Sequence, residues 1–247
     1  MCLIVFAWRP ENPLALRLAA NRDEFYARPS AALGEWKEAP GLFAGRDLEA
    51  GGTWLGITAS GRFAALTNIR DPRQPNRTRS RGELSADFLR SDMSPQAYLQ
   101  QVMRSAEQYA GFNLLLGDTT QLWHFNSHEG EARRLESGVY GLSNASLDTP
   151  WPKLVQARRA LQTSTEADDE TLMAIMADNQ QAADHLLPDT GVGLATERLL
   201  SSIFITSAAY GTRASTALAL QQDGSWRIRE RSFGPHGALL GEVSLER

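Results

Sequence analysis

Residues 1–25 read MCLIVFAWRPENPLALRLAANRDEF and carry the chain's one cysteine in second place. Cys2 to Trp8 is rich in β-branched and aromatic residues, a turn spans Pro10 to Pro13, and Leu14 to Ala20 resumes the apolar pattern. This spacing predicts a β-hairpin. The second strand runs directly into a polar cluster, Asn21, Arg22, Asp23 and Glu24, and functional groups are commonly mounted where a rigid element gives way to such a segment.

The same signal recurs downstream. In GGTWLGITASGRFAALTNI, residues 51–69, strands over Thr53 to Thr58 and Arg62 to Asn68 flank the small turn Ala59-Ser60-Gly61. Phe112 to Gly117 and Gln121 to Asn126 predict a third pair around Asp118, and Gly138 to Asn144 a further strand reaching a turn. Ile203 to Ala208, Ser215 to Leu220 and Trp226 to Ser232 complete the predicted strands. Helices are predicted over Gly82 to Arg90, from the Ser94 cap and Pro95 to about Ala110, over Trp151 to Leu161 and over Glu170 to Ala177. Hairpins rather than βαβ alternation predict antiparallel sheets with helices outside, an α+β class. No composition shift marks a linker, so residues 1–247 are read as a single domain.

With hydrophobic residues at 42% and charged residues at 22%, the composition is that of a globular protein with a real core. A net charge of −4 gives no global attraction to nucleic acid or anionic membrane, so basic chemistry has to be local. One cysteine excludes an intramolecular disulfide and suits a reducing compartment. The apolar run Cys2 to Trp8 is too short for a membrane helix and lacks a basic lead and a cleavage site, so the expected location is cytoplasmic.

Removal of Met1 would leave Cys2 with a thiol and a free α-amine on one residue. An α-amine titrates near ~7.7–8.0 and a thiol near ~8.5, so the amine can serve as base for its own nucleophile. Against this stands the plain alternative of a small apolar residue opening a buried strand. Asn68 and Asn144, each closing a predicted strand, are candidate amide donors to an oxyanion. Trp54, after Gly51-Gly52-Thr53, is a candidate pocket wall. The loop DPRQPNRTRSRGE carries Arg73, Arg77, Arg79 and Arg81, which are either solvated or a clamp for an acidic ligand. His124 and His128 are four apart, but with His124 in a strand they lack helical metal geometry, and no metal site is expected.

The strings AANRDEFYARPS, GGTWLGIT, GRFAALTN, RGEL, GFNLL, YGLSNA with TPWPK, and YGTR, in that order from Cys2 to about Arg213, resemble the NRDE-domain family, also called the transport and Golgi organisation family. The resemblance implies a four-layer αββα N-terminal-nucleophile hydrolase-like sandwich, with two stacked, mainly antiparallel sheets flanked by helices. It implies a relation to cysteine amidases in which the cysteine follows Met1. Carried over, Cys2 is the nucleophile, Asp23 the partner of its amine, Asn68 and Asn144 the oxyanion donors and Arg213 the charge near the thiol. Asn21, Arg22, Trp54 and Arg81 are the expected binding residues. The amidases place an arginine just ahead of the Asn-x-Asp triplet, where this chain has Ala20. Because neighbouring strand residues face opposite ways, Arg22 is not expected to replace it.

Two functions follow as expectations. One is an amidohydrolase acting on an N-acyl amide C–N bond, with no required cofactor. The other is a non-catalytic ligand-binding or trafficking protein for haem, an acyl lipid or acyl-CoA, with iron able to meet Cys2 or a histidine.

Overall fold

The alternation of burial along the first strand decides how the layers stack. In the computed structural model, which describes residues 2–75 and 77–247, β1 (Cys2–Trp8) is buried throughout. Its even-numbered residues, Ile4, Phe6 and Trp8, enter one apolar core, and Leu3 and Val5 enter another. A strand covered on both faces needs such a continuous apolar run. Met1, on whose removal the amine chemistry turns, lies outside the described residues.

The chain continues through β2 (Leu14–Phe25), β3 (Ser30–Glu35), β4 (Leu42–Asp47), β5 (Leu55–Thr58) and β6 (Phe63–Asn68) to helices α1 (Gly82–Arg90) and α2 (Pro95–Ser105). Strands β7 (Phe112–Gly117), β8 (Leu122–Asn126), β9 (Glu131–Arg134) and β10 (Gly138–Leu142) follow. Helices α3 (Pro152–Gln162), α4 (Asp169–Ile175) and α5 (Leu194–Leu200) precede the closing strands β11 (Tyr210–Gln221), β12 (Trp226–Phe233) and β13 (Leu239–Glu246). One sheet has the order β10-β1-β2-β11-β12-β13 and the other β3-β4-β5-β6-β7-β8-β9, with the pairs antiparallel.

Three apolar layers join these parts. Between the sheets lie Ile4, Phe6, Ile57, Phe63, Leu115 and Leu218. Leu84, Phe88 and Leu99 of α1 and α2 cover the second sheet against Leu114 and Phe112. Leu154, Leu161 and Leu172 of α3 and α4 cover the first against Leu3, Val5 and Ala19. This is the expected αββα sandwich. Among the described residues no helix is long and apolar enough to cross a membrane.

Ser94 caps α2 by accepting the Ala97 N–H at 3.2 Å, and Pro95 opens the helix, as its sequence predicts. Other expectations are corrected. Ile203 to Ala208 is not a strand: the Phe204 N–H bonds the Asp178 carbonyl and the Ile205 N–H bonds Thr212 Oγ1, so side-chain and loop partners replace a ladder. Strand β2 does not end at Ala20 but runs on to Phe25, placing the polar cluster within the sheet. β3, β4, β9, β13 and α5 have no predicted counterpart.

A buried ion pair ties the first hairpin to the helical layer. Arg17 Nη1 donates to Asp169 Oδ1 at 2.8 Å with both side chains under one tenth exposed, and Arg227 Nε donates to Oδ2 at 2.6 Å. Burial alone would raise the Asp169 carboxyl, but the hydrogen bonds from Arg227 and Arg17 outweigh it and hold it below the usual carboxylate range. Replacing Asp169 by Ala strands Arg17 in the interior and is expected to cost roughly 3–5 kcal/mol, read from urea melts at pH 7. Because the folded carboxyl titrates below its unfolded value, this stabilisation is present at neutral pH and disappears as the pH falls through the folded value, so the parent and Asp169→Ala melts converge in acid.

Candidate active site at the Cys2 cavity

Cys2 sits opposite Arg22 in the β1–β2 register, and its carbonyl accepts a hydrogen bond from Ser143 Oγ at 3.0 Å. Residues directly opposite on paired strands share a face. Both therefore border the cavity between the sheets, which has a volume of about 750 Å³ and is also lined by Trp54, Asn68, Arg81 and Glu230. That volume lies within the ~300–1,000 Å³ usual for small-molecule sites.

Burial pushes the Cys2 thiol up and the Asp23 charge adds to this, while Arg22 and a hydrogen bond from the Asp23 amide pull it down. The net direction is upward, so the resting sulfur holds its proton. Ala20 and Arg22 are two residues apart and share a face, so the expectation that Arg22 points away from the missing arginine's side is corrected. Arg22 brings a guanidinium to the thiol's side one strand repeat further on, where its Nη1 donates to Ser30 Oγ at 3.3 Å.

The intervening positions turn to the helix-covered face. Asn21 is fully buried there: its Nδ2 donates to the Met176 and Ile203 carbonyls at 2.8 and 2.9 Å, and its Oδ1 accepts from Ser215 Oγ at 2.6 Å. It is thus a structural clamp and not a wall of the cavity, which corrects its place among the binding residues. Asp23 Oδ1 accepts from Thr212 Oγ1 at 2.7 Å. Burial raises the Asp23 carboxyl, opposed by Lys153, by the Thr212 hydroxyl and by Arg70.

Of the two asparagines offered as oxyanion donors, Asn68 borders the cavity. Asn144 is buried beside it, with Nδ2 donating to the Asn68 carbonyl at 2.8 Å and Oδ1 accepting from Ser143 Oγ at 3.3 Å. It holds Asn68 in place rather than facing the space where a substrate carbonyl would lie. Arg213 also differs from expectation. Its Nη1 donates to the Phe25, Tyr26 and Arg28 carbonyls at 3.1, 3.1 and 2.7 Å, locking the turn after β2. Among the described residues, the cations that interact with the thiol include Arg22, Arg81 and Lys153.

Arg81 is held at the cavity by a close backbone crossing. A Cβ on Gly52 would lie 2.4 Å from the Gly82 carbonyl carbon, and the Thr53 N–H donates to the Gly82 oxygen at 3.1 Å. These glycines let the segment carrying Trp54, just ahead of β5, touch the start of α1. Arg81 Nη1 donates to the Gly111 carbonyl at 3.2 Å, and among the described residues Arg81 pairs with no carboxylate. Arg77 and Arg79 also border the cavity, whereas Arg73 is 88% exposed and paired with Asp71. His124 is a core residue, with Nε2 3.1 Å from Asn113 Oδ1 and its pKa pushed down to about 4 by burial.

Sequence reasoning missed Glu230, Lys153, Arg70 and Glu197. For Glu230 the signal was present: in WRIRER the alternate residues Trp226 and Ile228 face inward, and Glu230 shares their parity. Its Oε1 accepts the Leu33 N–H of the opposite sheet at 2.7 Å. Burial pushes its carboxyl up to about 7 against the opposing effects of that hydrogen bond and of Arg22.

A family model described as "Transport and Golgi organisation 2" matches residues 1–235. The Transport and Golgi organization protein 2 homolog of Bos taurus is 38% identical over 257 residues, covering 94% of this chain and 93% of that protein. The Homo sapiens homolog is 36% identical with the same coverage. Among solved structures, the mutant C2A conjugated bile acid hydrolase from Clostridium perfringens superposes with a TM-score of 0.52 at 6% identity, over 100% of this chain and 92% of that one. At that identity the likeness is one of fold, the N-terminal-nucleophile hydrolase sandwich.

The raised Glu230 carboxyl makes a stability prediction. The folded state binds this proton more tightly than the unfolded chain, whose carboxyl titrates near the ordinary 4.5, so stability falls as the pH rises from there to about 7. The Glu230→Gln variant is expected to lack that decline, seen as a larger parent-minus-variant stability difference at pH 4.5 than at pH 7.5 in paired denaturant melts.

Proposed function

The chain belongs to the Transport and Golgi organisation 2 family, and from that premise we propose that it is an N-terminal-cysteine amidohydrolase acting on a linear N-acyl amide C–N bond. One observation carries this reading: the chain's single thiol borders the cavity between the sheets, beside Asn68 and Arg22. The fold neighbour, a bile acid hydrolase bearing a C2A substitution, likewise has a cysteine at its second position before that change.

In the proposed cycle the α-amine of Cys2, freed by loss of Met1, takes the thiol proton as Sγ attacks the acyl carbon. The carbonyl π electrons move to oxygen, where the Asn68 amide stabilises the oxyanion. Collapse breaks the C–N bond, and the ammonium returns its proton to the leaving amine. Water then attacks the thioester, the amine again accepting a proton, and the carboxylic acid leaves with the thiol restored. Asp23 orients the amine from the opposite face of β2. A thiol that must stay reduced suits the cytoplasm.

A second reading is favoured by the arginines. Arg22 and Arg81 line the cavity and pair with no carboxylate among the described residues, while Trp54, Leu66 and Phe233 supply apolar wall. Such a site suits carriage of an anionic amphiphile, with haem, an acyl lipid or acyl-CoA as ligand. Stoichiometric haemin that leaves the Soret band unshifted removes the haem version.

The amidohydrolase is tested on protein from native cells by intact mass and by activity-based labelling with an acylating electrophile. Expected are a chain lacking Met1, a Cys2 that labels faster than a free thiol, and N-acyl amide hydrolysis that disappears in Cys2→Ala. Retained Met1, or labelling no faster than a free thiol, sinks the proposal. Asn68→Ala is expected to lower kcat by roughly 10²–10³ if its amide is the oxyanion donor. Asn144→Ala should act more weakly on turnover and more strongly on stability, because its amide is engaged with the Asn68 carbonyl.

A further inference from the structure

Lys153 is the second residue of α3, is 2% exposed, and its Nζ has no hydrogen-bond partner among the described residues. An ammonium in the interior without hydrogen bonds costs several kcal/mol unless charges nearby compensate it. Its place is no accident of an irregular loop. Pro152 starts the helix at this point, the residue after Lys153, Leu154, packs with Leu3 and Val5 of β1, and the buried Lys153 ammonium interacts electrostatically with the Cys2 thiol on that strand.

The charged groups facing it come from several elements: Asp23 on β2, Arg70 in the segment after β6, Glu197 on α5 and the Cys2 thiol on β1. Arg70 and Glu197 already form a pair at 2.7 Å with both side chains 4% exposed. Asp23 is the carboxylate whose charge most favours the Lys153 ammonium, ahead of Glu197. Cys2 itself is also faced by Arg22, Arg81 and Tyr210.

We propose that Lys153 is a positioning residue for Cys2: its buried ammonium, set against Asp23, fixes the protonation of the Cys2 thiol and of the α-amine that loss of Met1 creates. This deepens the amidohydrolase reading and rests on it for its catalytic meaning. Asp23 alone would hold a neighbouring amine protonated and unable to accept the thiol proton. A second positive charge on the same carboxylate offsets that pull, leaving the amine basic but unprotonated near neutrality. The same charge favours the thiolate, and by reciprocity a thiolate favours the ammonium, which agrees with Cys2 raising the lysine's proton affinity. Burial pushes Lys153 itself down to about 8, so its influence fades as the pH rises through that value.

The test is the pH dependence of Cys2 alkylation by iodoacetamide, followed by intact mass, in the parent, Lys153→Met and Lys153→Arg proteins. Intact mass reports in the same run whether Met1 is present. With Lys153→Met the inflection is expected to move to higher pH, slowing alkylation at pH 7 by about 3–10-fold, the effect of a shift of about half to one unit. Lys153→Arg should restore the rate and remove the break near pH 8, because arginine keeps its charge there. If Lys153→Met fails to fold, Lys153→Arg against the parent carries the test by that break alone. Folded variants whose profiles match the parent's overturn the proposal. Retained Met1 with no hydrolysis defeats the amidohydrolase reading, yet the thiol profile still reports on Lys153, so the two failures are told apart.

Discussion

The pairing of Cys2 with Arg22 across the first hairpin is the constraint on which the site depends. Side chains alternate along a strand, so this register sends Cys2, Ala20 and Arg22 toward the second sheet and Asn21 and Asp23 toward the helices. A slip of one residue would exchange the two sets. It would also carry Arg17, which is bound to Asp169 on the helical side, into the apolar layer occupied by Ile4, Phe6 and Leu18. Burying each large apolar side chain is worth about 1.5–3 kcal/mol, so the several residues misplaced by a slip outweigh any gain at the polar end. The core thus aims the site.

The polar residues behind the sheet show how buried charge is made tolerable. Asn21 has its amide shared between two carbonyls and its oxygen bonded to Ser215, which stitches β2 to β11 and to the loop after α4. Arg70 is paired with Glu197 and stacked over Trp151 at 4.5 Å, joining the end of β6 to α5 and the entry of α3. Breaking such a pair costs more than the pair itself contributes, because the remaining charge stays in the interior. Loops with little secondary structure are held here by side-chain bonds, which explains why Ile203 to Ile205 are buried yet form no ladder.

Much of this was legible in residues 1–25 and in the recurring hairpin pattern, because strands buried on one or both faces must show alternation or an unbroken apolar run. β3, β9 and β13 were illegible for the same reason: Ser30–Glu35, Glu131–Arg134 and Leu239–Glu246 lie at or near sheet edges and leave much of their length exposed, so period-2 contrast is lost. At the site, residue type, local position and the family resemblance together singled out Cys2, Asn68, Trp54, Arg22 and Arg81, all of which line the cavity. These signals could not separate Asn68 from Asn144, whose amide is taken by the Asn68 carbonyl, nor foresee that Arg213 would be consumed by three carbonyls of one turn. Those outcomes depend on contacts between segments far apart in sequence. Glu230 was open to a parity count, whereas Lys153 gave only its place in TPWPK, since a lysine in the first turn of a helix is ordinarily solvated.

What the two functional readings ask of Cys2 differs in a single physical quantity, its proton. Burial and Asp23 raise the thiol, and the nearby cations do not reverse the direction. A protonated sulfur in a water-poor wall is a weak nucleophile and a good inert surface, which is what a carrier needs. Hydrolysis therefore requires a base that acts as the bond forms. Glu230 is held by the Leu33 N–H in the wall, and Asp23 points its carboxylate to the far face of β2. An amine on Cys2 itself would need no such reach, since it is bonded to the same Cα as the thiol's methylene. With Asn144 and Arg213 committed to structure, the site keeps few groups for catalysis, and the balance between cutting and holding passes to the charge shared by that amine, Asp23 and Lys153.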